Sequence, residues 1–191
     1  MPKSSRLFPA TTRWGRLLVA AAAVLFGAPS LAVAQDNITP SFTLRDVTNK
    51  DYSVLVKDGQ LMVGAKGSEE AKQAILVSFW ATWCGPCKLE MPHVDALDKE
   101  LADKGFEGIS ISIDDARAYS QARAYVKGRK FQFNALFDKE SKVVAMFNPS
   151  KTLPYTVIID KAGKIRHVHT GYNPGDEVKL KKEIQAILDE G

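Results

Sequence analysis

The chain is short of the side chains that usually make a function readable: 191 residues hold two cysteines and three histidines. Two cysteines do not make a disulfide scaffold of the kind small secreted domains rely on. They supply only half of the four ligands a structural zinc site needs, and His93, six residues after Cys87, does not complete a tetrahedral set. Covalent haem attachment requires a histidine directly after the second cysteine, where Lys88 stands. A purely structural bridge between Cys84 and Cys87 would close so small a loop that it removes little unfolded-state entropy. Internal repeats and low-complexity segments are also lacking.

Acidic residues are absent before Asp36, whereas Lys3, Arg6, Arg13 and Arg16 make the N-terminus basic. Leu17 to Ala28 is apolar, and Ala32-Val33-Ala34 has the small-x-small pattern of a cleavage site before Gln35. Residues 1–34 are therefore expected to be a secretory signal, cleaved to leave one domain at 35–191 in the periplasm or otherwise exported. The alternative is an uncleaved membrane anchor, because Leu17 to Ala34 borders on spanning length; Pro29 and Ser30 weigh against it. The twin-arginine pattern is missing, and no cysteine stands near the cleavage point to take a lipid. Without residues 1–34 the chain has 22 basic and 22 acidic residues, so the pI near 9.0 argues for neither a nucleic-acid nor a polybasic membrane role. The remaining 157 residues suffice for one core.

What the chain does have is concentrated in Ser78-Phe79-Trp80-Ala81-Thr82-Trp83-Cys84-Gly85-Pro86-Cys87, which carries both cysteines and two of the three tryptophans. The apolar run Ala74 to Val77 reads as a buried strand, and apolar residues after Cys87 recur at helical spacing. The cysteine pair thus falls where a strand turns into a helix. A thiolate at Cys84 is stabilised there by unpaired N–H groups and the positive end of the macrodipole, which makes it the nucleophile. Cys87 lies about one turn on, close enough to close a disulfide. Gly85 is expected to permit a tight turn and Pro86 to fit the first helical turn.

The segment from Phe79 to Pro92 resembles the active site of the thioredoxin superfamily, closest to exported TlpA/ResA-like thiol–disulfide oxidoreductases. The resemblance implies an α/β thioredoxin-like fold: a central mixed sheet flanked by helices, with an N-terminal β-hairpin extension. It implies Cys84 as nucleophile and Cys87 as resolving thiol, supported by Trp83, Gly85, Pro86 and Pro154. In Thr152-Leu153-Pro154-Tyr155 the family's proline is cis and packs against the cysteines. Thr152 and Leu153 then become substrate-binding residues, Leu153 through its main chain. The only redox group implied is the dithiol itself, with no bound cofactor.

Around this centre, Ser41–Arg45 and Tyr52–Val56 read as a hairpin after a flexible lead at Asp36–Ile38. Asp58 to Lys72, rich in glycine, reads as an enlarged loop or short helix, or as a lip of the substrate groove. Pro92 should kink the first helix and Gly105 end it. Strands are expected at 109–113, 135–137, 155–159 and 165–170. Helices are expected at 116–127, 141–147 and 177–188, the last with Val178, Ile184, Ile187 and Leu188 on its buried face.

Two departures from the family stand out. Where thioredoxin proper has a buried Asp and Lys that handle the second cysteine's proton, this chain has Ser78 and Ser110. The proton must go to another carboxylate, to water or to the substrate, with Glu90 a weak candidate. His167 and His169 share a strand face, where they are either a solvent-facing pair or copper ligands with the thiols. The functional expectation is a reductant of protein disulfides, with apocytochrome c as first substrate class and a copper-site cysteine pair as second, re-reduced by a thiol-transferring membrane electron donor. The alternatives are a copper-handling protein for oxidase assembly, and a disulfide oxidant or isomerase.

Overall fold

The computed structural model describes residues 37–191, so the expected signal segment lies outside the described residues. In chain order the elements are β1 Phe42–Asp46, β2 Asp51–Lys57, β3 Gln60–Ala65, β4 Glu70–Ala71, β5 Ala74–Trp80, α1 Gly85–Leu101, β6 Phe106–Ser112, α2 Tyr119–Arg129, β7 Asn134–Phe137, α3 Lys142–Phe147, β8 Tyr155–Asp160, β9 Ile165–Thr170 and α4 Asp176–Asp189. The strands form one mixed sheet in the order β4-β3-β2-β1-β7-β6-β5-β8-β9. β5 runs parallel to β6 and antiparallel to β8. This is the thioredoxin-like α/β arrangement.

β5 is buried along its whole length and separates two cores by simple alternation. Ala74, Leu76 and Trp80 face α1, α2 and α4, joining Cys87, Met91, Val94, Ala122 and Ile184. Ile75, Val77 and Phe79 face the other way, with Ile109, Ile111, Val143 and Val144. Ser78 shares the parity of Leu76 and Trp80, so its hydroxyl points toward the cysteine helix. Packing supplies what helix propensity alone does not: α1 runs unbroken through Pro92, with Met91, Val94, Leu97 and Leu101 buried. It ends in a 3₁₀ turn at Ala102–Lys104, closed by Gly105 at φ 80°.

The expectation for Asp58 to Lys72 is corrected. Asp58 (φ 52°) and Gly59 (φ 74°) are a two-residue turn joining β2 to β3, the left-handed pair that matches the twist of a hairpin. β4 then pairs Glu70 with Val63 where a helix start was expected. This addition occupies the sheet edge six strands from β5, so it forms no lip of the cysteine groove. Asn37 and Ile38 of the lead are not free either, the Asn37 carbonyl accepting the Ile165 N–H at 2.8 Å. Ile38 bridges Lys164, and Thr39 N–H donates to the Gly163 carbonyl at 2.7 Å.

α2 starts later than its pattern suggests, because Asp115 accepts N–H bonds from Arg117 and Ala118 and holds residues 115–118 in a turn. On α4 the buried residues are Leu180, Ile184 and Ile187. Val178, two positions from Leu180, points away from that face and is exposed.

Candidate active site

β5 ends at Trp80, and Ala81-Thr82-Trp83 carries the chain to α1. This short link is clamped from the end of β6. The Asp114 carboxylate, itself buried, accepts Thr82 N–H at 2.9 Å and Thr82 Oγ1–H at 2.7 Å, and also the Ser112 hydroxyl. Cys84 is the N-cap of α1, and its Sγ accepts the Cys87 N–H at 3.2 Å. The two cysteines form a disulfide with Cα atoms 5.4 Å apart. Cys84 retains 5% of its surface and Cys87 none, while the Trp83 ring beside them is 71% exposed. Pro86 sits in the first helical turn, as expected. The reading of Gly85 is corrected: it is an ordinary helical residue outside the left-handed region, and a Cβ there would meet nothing within 4 Å.

The second segment arrives on the neighbouring strand. β8 pairs with β5 as far as Phe79–Tyr155, which sets Pro154 opposite the point where β5 gives way to the cysteine loop. The Leu153–Pro154 peptide is cis. Leu153 packs against both cores and lies just outside the ladders on either side of β8. Thr152 is exposed. Asn148 Nδ2 donates to the Thr152 carbonyl at 2.8 Å, Tyr155 Oη donates to the Phe147 carbonyl at 3.0 Å, and Gly171 N–H donates to the Pro154 carbonyl at 2.8 Å.

Glu90 is the residue that the sequence undervalued. It follows Cys87 by three positions, hence lies on the same face of α1 with Cβ atoms roughly 5–6 Å apart. Its side chain is 2% exposed. Ser78 Oγ donates to Glu90 Oε2 at 2.7 Å and Thr156 Oγ1 donates to Oε1 at 2.9 Å. Burial pushes this carboxyl above its ordinary range, and the two hydroxyl donors pull back only in part. The buried carboxylate of this chain thus stands on the helix, and Ser78, where the family resemblance led one to look for a strand carboxylate, serves as its hydrogen-bond donor. Ser110, beside Ser78 in the β5–β6 register, is buried with no protein partner for its hydroxyl among the described residues.

A family model described as Redoxin matches residues 33–184. The chain belongs to the Redoxin family. It is 30% identical over 160 residues to the thioredoxin-like protein YneN of Bacillus subtilis, covering 83% of this chain and 81% of that one. It is 27% identical over 179 residues to the thiol-disulfide oxidoreductase ResA of the same organism, covering 90% and 88%. Among solved structures it superposes with TM-score 0.62 on a thioredoxin-family thiol:disulfide interchange protein from Chlorobium tepidum. There the identity is 22%, with 82% of this chain and 99% of that one covered. The chain is thus a TlpA/ResA-like member of the thioredoxin superfamily and a thiol–disulfide oxidoreductase.

His167 and His169 of this Redoxin-family protein sit on the edge strand β9 and share a face, as expected. Both turn to α4, where Glu183 receives them: His169 Nε2 lies 2.6 Å from Oε2 and His167 Nδ1 lies 3.5 Å from Oε1. Among the described residues no three His, Cys, Asp or Glu side chains cluster at metal-binding distance, so the structure does not bring His167 and His169 together with the thiols. Sequence reasoning missed Asp114, Asn148 and Glu183. The first two sit next to expected strand or helix ends, where a buried Asx side chain commonly ties down a loop.

Proposed function

We propose that the protein is an exported reductant of protein disulfides, with Cys84 as nucleophile, Cys87 as resolving thiol and Glu90 as the base for Cys87. One observation carries the reading: Cys84 caps the helix beside an exposed tryptophan, while Cys87, fully buried, lies one turn from a buried carboxylate. In the reduced protein the Cys84 thiolate attacks a substrate disulfide, forming a mixed disulfide and releasing one substrate thiolate. Cys87–H gives its proton to Glu90, and the resulting thiolate attacks Cys84 Sγ. The second substrate sulfur leaves as thiolate, two electrons pass to the substrate, and the enzyme is left with its disulfide and a protonated Glu90. Trp83 precedes Cys84, Leu153 packs against the core that holds both cysteines, and in this reading Thr152 and the Leu153 main chain meet an extended substrate segment. Pro154, packed where β5 gives way to the cysteine loop, completes the groove.

Residues 1–34 serve as the export signal in this reading. The substrate class is apocytochrome c before haem attachment, followed by a copper-site cysteine pair. Re-reduction comes from a membrane thiol-transfer donor.

The test uses the thiols separately. Cys87→Ser, expressed with its leader, retains the attacking thiol and loses the resolving one, so dithiothreitol-sensitive adducts accumulate on non-reducing gels. Cys84→Ser traps few. Adducts whose partner peptides carry two cysteines before a histidine identify apocytochrome c. Equal trapping by both variants refutes the assigned roles. A redox titration fixes direction: a potential near about −270 mV fits a reductant, and one near about −120 mV makes the protein an oxidant.

A further inference from the structure

Glu90 is buried, yet it is not sealed. A recess of about 90 Å³ is lined by Glu90, His169, Thr170, Tyr172, Lys179 and Leu180, among others. Its wall runs from the 2% exposed Glu90 side chain to the exposed residues Thr170 and Lys179, so it joins the buried carboxyl to the surface. That volume has room for several water molecules, and its polar lining offers them partners. The sheet register prepares this path. Ser78 pairs with Thr156 and Thr156 pairs with His169, so one row across β5, β8 and β9 presents a hydroxyl, a hydroxyl and an imidazole to the same face. Glu90 takes both hydroxyls. His169 closes the row, its Nε2 held 2.6 Å from the Glu183 carboxylate.

The geometry points to the His169–Glu183 pair as the surface half of the proton-handling machinery: across the water-sized recess it sets the protonation of Glu90 and passes protons between Glu90 and solvent. This rests on the reading of Glu90 as the base for Cys87. His169 is a positioning residue here, since it touches neither cysteine nor substrate. Other groups face the same space. Asp176 and Lys179 come from α4, and Tyr172 from the loop before it, its hydroxyl donating to Glu177 at 2.6 Å and its ring stacked on His93 of α1. His169 differs from them in standing in the row of side chains that holds the carboxylate. Its positive charge favours ionised Glu90, whereas Asp176 opposes it. Each turnover moves one proton onto Glu90 and requires one to leave, so a carboxylate at this depth needs such an outlet.

The test is the titration of Glu90. In the oxidised protein, carbon-13 NMR follows the Glu90 carboxyl across the pH range. Replacing His169 by Gln should raise the Glu90 midpoint by about half a unit, a threefold change in its protonation ratio. The rate at which the reduced protein is oxidised by hydroxyethyl disulfide should show a pH limb that moves with the Glu90 midpoint in His169→Gln. Glu183→Gln, which removes the partner that holds His169, should displace the midpoint as well, which guards against a folding defect in the first variant. A side effect on packing would not move the Glu90 midpoint and the pH limb together. If Glu90→Gln abolishes the limb while His169→Gln and Glu183→Gln leave it in place, Glu90 is the base and this outlet is wrong. If Glu90→Gln leaves the limb untouched, the reading of Glu90 itself falls, and this inference with it.

Discussion

Two glutamates are buried among the described residues, and they have been put to different uses. Glu90 lies between α1 and the sheet, where its neighbours are the hydroxyls of Ser78 and Thr156. Glu107, on β6, is held by the Tyr52 hydroxyl, by Asn134 Nδ2 at 2.8 Å and by the Lys72 ammonium at 3.1 Å. Burial pushes both carboxyls upward, Glu107 to about 7 against the pull of the Asn134 amide. The difference lies in the partners. Besides the Tyr52 hydroxyl from β2, Glu107 is held by an amide N–H and an ammonium, which can only donate, so they favour it as an acceptor and bind β7 and the β4–β5 link to the centre of the sheet. A hydroxyl can donate to a carboxylate or accept from a carboxylic acid. Glu90 can therefore change protonation state without losing its hydrogen bonds, which is what a base that cycles requires. Burial raises a carboxyl; the donor chemistry around it decides whether the proton is usable.

The sharpest break in this comparison is Glu90→Gln. If Glu90 is the base, the amide keeps the shape and removes proton transfer. Disulfide exchange at neutral pH should fall on the order of 100-fold, at the lower end of the usual range for general acid–base catalysis. Folding should not suffer. A carboxyl whose folded value is raised stabilises below its ordinary range and loses that contribution as pH climbs through the folded value. The variant should thus melt no lower than the parent at pH 7.5. Stopped-flow tryptophan fluorescence for exchange and calorimetry for melting read the two effects apart. A parent-like exchange rate would place the base elsewhere.

Glu107→Gln should do the opposite, altering stability and sparing exchange. Its folded value lies above the ordinary 4.5, so its contribution is fully present below about pH 4.5 and is lost as pH rises through about 7. Urea unfolding of the parent should show this group's share of the decline, on the order of 1–3 kcal/mol, across that window. The Gln variant should show a flatter profile by that amount. An unchanged slope would mean that Lys72 holds Glu107 ionised throughout.

Local chemistry made much of this fold legible. The apolar run Ala74 to Val77, the cysteines with Pro86, and Leu153-Pro154 before a β-rich segment each carry their meaning within about ten residues. The Asp58-Gly59 turn was just as local, a strong hairpin signal that the surrounding glycines and Ser68-Glu69-Glu70 obscured. Glu90 was half legible: a carboxyl in the Cys87, Met91, Val94 and Leu97 stripe of α1 stands out as a polar residue on a buried face. Its role was not, because its partners lie 12 and 66 residues away on β5 and β8. The same holds for Glu183, which meets His169 only once α4 has folded back over β9. Pairings between distant elements are set by topology, and no periodicity announces them. Ser78 shows the limit best. It reads as a small core residue or as a missing carboxylate, and it is the donor to the carboxylate of Glu90.

The finest test of the comparison is Ser78→Ala, which removes one of the two hydroxyls from Glu90 and leaves Thr156 in place. Ser78 donates to the ionised carboxyl, so losing it favours the protonated form and should move the Glu90 midpoint further up. A single hydroxyl bond contributes about 1 kcal/mol net. The expected displacement is therefore about half a unit to one unit, and the pH limb of exchange should follow it. On that limb the rate should fall a few-fold, well short of the loss in Glu90→Gln, and recover when the pH is raised. Ser78→Thr keeps the donor and should restore the parent profile if the added methyl fits between β5 and α1. A loss in Ser78→Ala that persists at every pH would mean that the hydroxyl packs the site without tuning it. Glu90 would then owe its protonation to burial alone, and the contrast with Glu107 would rest on location, with donor chemistry playing no part.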